Sequence, residues 1–210
     1  MALFFEPGQH KQHGLPFNPF KTLVVPRPIG WISTMDAQGM VNLAPYSFFN
    51  GLADAPPMVF FASNGRPRSR GGGKDSLRNA EATGEFVVNL ATWDLREAVN
   101  ATSAPLPPGE SELQRTELSL LPSERVRPPR VAQSPAHLEC RWIRTVDLPC
   151  TNPEEGNHLV IGEVVGIHID EALLTEEGFV DLSRARPIGR LGYMDYTVVD
   201  TIFSMPRPKR

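Results

Sequence analysis

Cysteine is nearly absent from this chain. Its 210 residues hold only Cys140 and Cys150, too few for a disulfide framework or a zinc ribbon, and Cys140 sits in an alternating strand pattern that marks it as a small buried apolar residue. Long apolar runs are missing too: nothing approaches the roughly 18 residues of a membrane span. Residues 1–7 have neither the basic flank nor the apolar stretch of a signal peptide, so the expectation is a cytoplasmic protein that does not engage a membrane. No charge sign dominates. The net charge of −3 and a pI near 6.0 argue against nucleic acid as the main partner. The five histidines make no metal constellation; His10 and His13 are two ligands at most, and His137, His158 and His168 read as structural residues in or beside strands.

Nucleotide-binding signatures are lacking as well. A P-loop ending at Gly73-Lys74 would need glycine at position 68, where Arg68 stands, and Asp75 replaces the magnesium-binding hydroxyl. No Gly-x-Gly-x-x-Gly element opens a strand–helix unit, so a Rossmann domain is unsupported. No internal repeat and no acid–base triad is visible, and catalytic residues are left unassigned.

Proline and glycine, at 21 and 17 residues, are plentiful and spread over turns. Between them, residues 29–34, 41–49, 58–63, 86–91, 138–142, 158–169 and 196–203 read as strands. Gly162 and Gly166 interrupt the sixth of these and suggest bulges or close backbone approach. Helices are few: 76–83, closed by Gly84, and 93–101, with Thr92 as its cap. This is a mainly β sandwich or barrel with a few short helices, in a single domain over residues 1–210. Residues 104–135 form an irregular excursion whose place, as a lid or on a subunit seam, stays open.

The most informative stretch is Ser63-Asn64-Gly65-Arg66-Pro67-Arg68-Ser69-Arg70-Gly71-Gly72-Gly73-Lys74-Asp75-Ser76. A strand feeds a glycine loop that delivers Lys74 to the start of a helix, where unpaired N–H groups and the positive dipole end favour an anion. Lys74 adds a point charge, Ser76 and Asn79 add donors, and Arg66, Arg68, Arg70 and Arg78 raise the potential, with Asp75 as the N-cap. Such a set suits a phosphate dianion. The competing reading, a solvated basic loop with an ordinary cap, stays open on this segment alone.

Two further stretches carry more: Pro26-Arg27-Pro28-Ile29-Gly30-Trp31-Ile32-Ser33-Thr34 followed by Asn42-Leu43-Ala44-Pro45-Tyr46-Ser47-Phe48-Phe49-Asn50, and Gly189-Arg190-Leu191-Gly192-Tyr193-Met194-Asp195-Tyr196. In this order and spacing, over residues 15–208, the chain resembles the flavin-reductase-like family of FMN-binding split β-barrels, which includes flavoredoxin and the reductase components of two-component monooxygenases. The resemblance implies a homodimer holding FMN near the subunit seam. It implies that Lys74 and Ser76 contact the phosphate with Ser63 and Asn64 close by. Thr34, Asn50 and the backbone around Arg27 to Trp31 and Pro45 to Phe49, with Ser47 and Phe48, would line the ribityl chain and ring. Arg190 would supply a positive charge near ring or phosphate, or else an interface ion pair. The implied activity is NAD(P)H:flavin oxidoreduction, with NADH or NADPH as transient donor and an oxygenase or electron-transfer protein as partner. A flavoredoxin-type carrier with tightly held FMN and a non-catalytic ligand-binding barrel are the alternatives.

Overall fold

A computed structural model describes residues 2–65, 74–104 and 112–208. Seven antiparallel strands form the main sheet: β2 (Gly30–Met35), β3 (Val41–Tyr46), β4 (Phe49–Asp54), β5 (Pro57–Gly65), β6 (Glu85–Leu90), β9 (Ala136–Leu148) and β10 (Gly156–Ile169). Their order is β3-β2-β6-β9-β10-β5-β4. The two edge strands are consecutive in the chain, joined only by Ser47 and Phe48. Ala62 N–H donates to the Phe48 carbonyl at 2.8 Å, so the sheet curls until its edges meet at that corner. The architecture is the split β-barrel expected. The expected strands are found, but β4 takes over where a turn was expected, β9 is far longer than the expected 138–142, the last strand, β12 (Tyr196–Val198), is shorter, and short strands at 27–28, 120–121, 130–131 and 188–190 were not foreseen.

Successive residues of β2 serve opposite faces of the sheet. Ile32 joins the barrel core with Tyr46, Phe61, Phe86 and Val160, while Trp31 joins an outer core with Ile29, Leu43, Val99 and Val131. Helix α2 (Asp75–Thr83) inserts Leu77 and Ala80, one turn apart, into the barrel core. Gly84 ends it in the left-handed region at φ 74°, donating to the Ala80 carbonyl, a geometry that favours glycine. The register of β10 against β9 shifts at Gly162 and Gly166. A Cβ on Gly162 would come within 2.4 Å of the Phe86 ring, which explains the first of these glycines as a close approach. Cys140 is fully buried, and burial followed by the Glu139 charge pushes its thiol pKa up.

The two ends of the chain meet on one side. Strands β1 (Arg27–Pro28), β11 (Ile188–Arg190) and β12 make a small second sheet. The first helix, α1 (Phe20–Leu23), precedes it. A third, α3 (Arg96–Ala101), follows β6, with Leu95 rather than Thr92 at its cap position and no side-chain cap.

The described part of the excursion is a cover stapled to the outer face of the barrel. Strands β7 (Leu120–Leu121) and β8 (Arg130–Val131) pair in it. Ser33 Oγ donates to the Pro129 carbonyl at 2.6 Å, and Val131 N–H donates to Asn89 Oδ1 at 2.8 Å. Glu139, fully buried, accepts from the N–H groups of Glu124 and Arg125 and contacts His168 Nε2 at 2.5 Å. Burial alone would raise its pKa, but these hydrogen bonds outweigh it and hold the carboxyl below its usual range. Among the described residues no helix is long and apolar enough to cross a membrane.

His137 gives the fold a pH dependence. Its Nε2 meets the Val131 carbonyl at 2.9 Å, and burial above all lowers its pKa from 6.5 to about 4. Between those values the unfolded chain binds a proton that the folded chain refuses, so stability falls as pH drops through that window. Thermal melting from pH 7.5 to 4.5 is expected to show a steeper loss in the wild type than in His137→Gln; parallel curves would contradict it.

Candidate functional site

The start of α2 departs from the sequence reading in one respect. Lys74, not Asp75, occupies the N-cap position, with extended φ/ψ of −74° and 154°, and no side chain caps the helix. Asp75 lies in the first turn, paired with Arg78. The Leu77 and Arg78 N–H groups turn back to the Lys74 carbonyl. A nine-residue helix with an uncapped start keeps its positive end available to an anion. Arg66, Arg68 and Arg70 lie outside the described residues.

Behind this end sits a buried polar network. Asn42 Nδ2 donates to Ser76 Oγ at 2.8 Å, and Asn79 Nδ2 donates to Thr34 Oγ1 at 3.2 Å. Thr34 and Asn42 face each other across β2 and β3. Because Ser76 Oγ accepts from Asn42, its own proton is left to donate elsewhere. Thr34 is fully buried, so its place is in the support of the helix rather than on an open wall.

A second group gathers at the barrel seam. The Lys74 ammonium lies 5.2 Å from the Tyr46 ring centroid; the Arg27 guanidinium and the Lys21 ammonium lie 5.8 and 5.9 Å from that of Phe48. Burial first, then the charge of Lys21, lowers the Lys74 pKa; burial first, then Arg190, lowers that of Arg27. Lys74, Lys21 and Arg27 thus gather around two aromatic rings, with Arg190 beside Arg27 on the neighbouring strand. Arg27 is itself buried. Its Nη1 donates to the carbonyls of Lys21 and Val24, and its Nη2 to that of Leu191 at 2.8 Å. It acts as a clamp between the two ends of the chain. Arg190, opposite Arg27 in the β1–β11 register, stacks 4.4 Å from Tyr196 and reaches the Tyr193 carbonyl.

The remaining expected residues are dispersed along the same rim. Ser47 and Phe48 form the corner, half-buried; Asn50 is exposed on β4; Ser63 is buried and Asn64 exposed near the end of β5. Trp31 was expected to contribute its backbone, and its side chain is turned away from the rim. It is fully buried in the outer core, and its Nε1 donates to Thr102 Oγ1 at 2.9 Å, so only its backbone faces the β2 neighbourhood of the site.

Sequence reasoning missed Lys21 and a cross-strand row. His158 sits opposite Asp147 on one side and Ser63 on the other. His158 Nδ1 lies 2.8 Å from Asp147 Oδ1, while its buried Nε2 has no hydrogen-bond partner among the described residues. The signal was available: pairing the strands on either side of residues 149–155 sets Asp147 against His158. No group of three or more His, Cys, Asp or Glu residues capable of holding a metal occurs among the described residues.

A split barrel with an uncapped, cation-flanked helix start at its seam is the architecture that flavin reductase split barrels share. Residues 22–196 match the flavin reductase like domain, and the chain belongs to that family. An uncharacterized protein of Halalkalibacterium halodurans is 37% identical over 88% of this chain and 87% of its own length. The crystal structure of nitrilotriacetate monooxygenase component B from Bacillus cereus is similar at a TM-score of 0.84 and 32% identity, covering 98% of this chain and 99% of that one. That of 2-nitrobenzoate 2-nitroreductase from Pseudomonas fluorescens is similar at 0.79 and 25%, covering 99% and 95%.

The network behind α2 yields a test of its own. Asn42→Ala leaves Ser76 Oγ without its buried donor, and a loss of about 1–3 kcal/mol in unfolding free energy is expected. Urea titration reads it, and an unchanged midpoint would remove Asn42 from the support of the helix.

Proposed function

We propose that this protein is an NAD(P)H-dependent flavin reductase that holds FMN and passes its electrons to an oxygenase or another electron-transfer protein. The observation that carries the reading is the uncapped start of α2, where Ser76 is oriented by Asn42 and Lys74 stands at the N-cap. The donor set fits the group. A phosphate monoester of charge about −2 near neutral pH would accept from the α2 N–H groups, the Ser76 hydroxyl and the Lys74 ammonium. Asn79 and Thr34 hold the helix in place behind it. Phe48 and the Ser47 backbone at the seam, with Asn50, Ser63 and Asn64 along the rim, would line the ribityl chain and ring. FMN supplies the redox chemistry, accepting a hydride and releasing electrons singly or in pairs. The chain then needs to bind, orient and leave one face open.

A homodimer belongs to this reading. Ile167, Ile169, Val180 and Leu182 are exposed beside an apolar groove of about 270 Å³, a surface that a second copy would cover. The similarity to a monooxygenase component supports an oxygenase as the electron acceptor, and a nicotinamide donor fits a cytoplasmic setting.

Anaerobic titration of the FMN-loaded protein with NADH and with NADPH tests the activity: rapid bleaching by at least one of them is expected, and a spectrum unmoved by both would contradict a reductase. Lys74→Ala is expected to weaken FMN binding by about 1.5–3 kcal/mol through loss of a charge-assisted contact, read by fluorescence quenching. An unchanged dissociation constant would sink the phosphate assignment.

A further inference from the structure

The segment that follows β12 leaves the body of the molecule with its apolar side chains in solvent. Ile202, Phe203 and Met205 are 59%, 79% and 80% exposed. Val199 N–H still donates to the Pro187 carbonyl, but the backbone groups of residues 200–208 have no hydrogen-bond partner among the described residues. Pro206 and Pro208 remove two donors and bar a regular strand. Single apolar residues on a surface are ordinary, whereas these three fall within one short irregular segment and form a patch without a cover. Beyond them the charge is positive: Arg207 is followed in the sequence by Lys209 and Arg210, against Asp200 alone.

The complementary surface is the apolar groove beside β10. Ile167 and Ile169 line it from that strand, and Leu173, Val180 and Leu182 line it from the loop that follows. This loop is compact: Thr175 N–H donates to the Phe179 carbonyl at 2.8 Å and Asp181 N–H to the Leu173 carbonyl at 2.7 Å. Its residues 170–181 include Asp170, Glu171, Glu176, Glu177 and Asp181, and no lysine or arginine. Asp181 pairs with Arg184 at 3.1 Å, whereas Glu171, Glu176 and Glu177 meet no cation among the described residues. An apolar trough with an acidic wall is the counterpart of an apolar run with a basic continuation.

We infer that residues 200–208 of one copy dock in this groove of a second copy, Ile202, Phe203 and Met205 entering it and Arg207 meeting the acidic loop. This rests on the homodimer reading above and names the segment that covers the face. The reach is sufficient. Val198 pairs with Ile188, itself a groove residue, so the segment starts at the border of the groove. The stretch from Val199 to Met205 extends at most about 25 Å, enough to cross a two-fold axis that runs beside the groove. In that symmetry each copy gives one segment and receives one, and the contact closes at two subunits.

Sedimentation equilibrium of the full chain, as wild type and as Phe203→Ser, measures the dimer dissociation constant. A rise of at least about tenfold is expected, from the loss of one buried phenyl ring in each groove. Phe203 is exposed within its own chain, so the substitution leaves the fold of the monomer alone. A benzophenone amino acid at position 203, in dimers mixed from isotopically labelled and unlabelled chains, identifies the recipient. Cross-links to residues 167–182 that join the two isotopic forms are expected. An unchanged dissociation constant in Phe203→Ser, or cross-links that never join the two forms or land elsewhere, overturns the inference and leaves the homodimer standing. A wild type that stays monomeric throughout overturns both, and FMN binding by that monomer then decides the flavin reading separately.

Discussion

The corner at Ser47 and Phe48 is the constraint on which the rest of the structure depends. Edge strands β3 and β4 of one sheet are joined by only two residues, so the sheet must curl until its ends meet. The curl brings the two edges together at this corner. It also creates a rim at which the start of α2, the end of β5 and both termini of the chain converge. Arg27 locks that convergence by binding carbonyls from residues 21, 24 and 191. A buried guanidinium with hydrogen-bonded terminal nitrogens is a rigid fastener, and its charge adds to the field that it organises.

The polar residues around the site divide into those that face outward and those that hold them. Ser76 and Thr34 are both buried, and each accepts from an amide side chain, Asn42 and Asn79 respectively. Such networks are costly if half satisfied, and here they connect α2 to β2 and β3. The packing of Leu77 and Ala80 fixes where the helix lies, and the network fixes its orientation. On the opposite side of the sheet, Ser33, Asn89 and Glu139 fasten the excursion in the same way. That region is therefore a cover for the outer core.

Much of the fold was legible in the sequence. The strands alternate, glycine closes α2, and the glycine at 162 marked a real close approach. Strand β4 escaped because Gly51 and the flanking prolines read as turn. The candidate site was legible where its chemistry is local: Lys74, Ser76 and Asn79 lie within one short segment. It was not legible where partners are remote. Nothing near Arg27 announces a carbonyl 164 positions away, and nothing near Lys21 announces Phe48. Trp31 looks the same in sequence whether it stacks on a ligand or fills a core, and only the position of Thr102 decides. The Asp147–His158 pair needed the register of one hairpin.

In the proposed reading, FMN would be anchored at the start of α2 by its phosphate more than by its ring. The most direct measurement is the ratio of dissociation constants for riboflavin and FMN, taken by fluorescence quenching at one salt concentration. FMN is expected to bind at least about a hundredfold more tightly, through two charge-assisted contacts at a helix start. Equal affinities would contradict it.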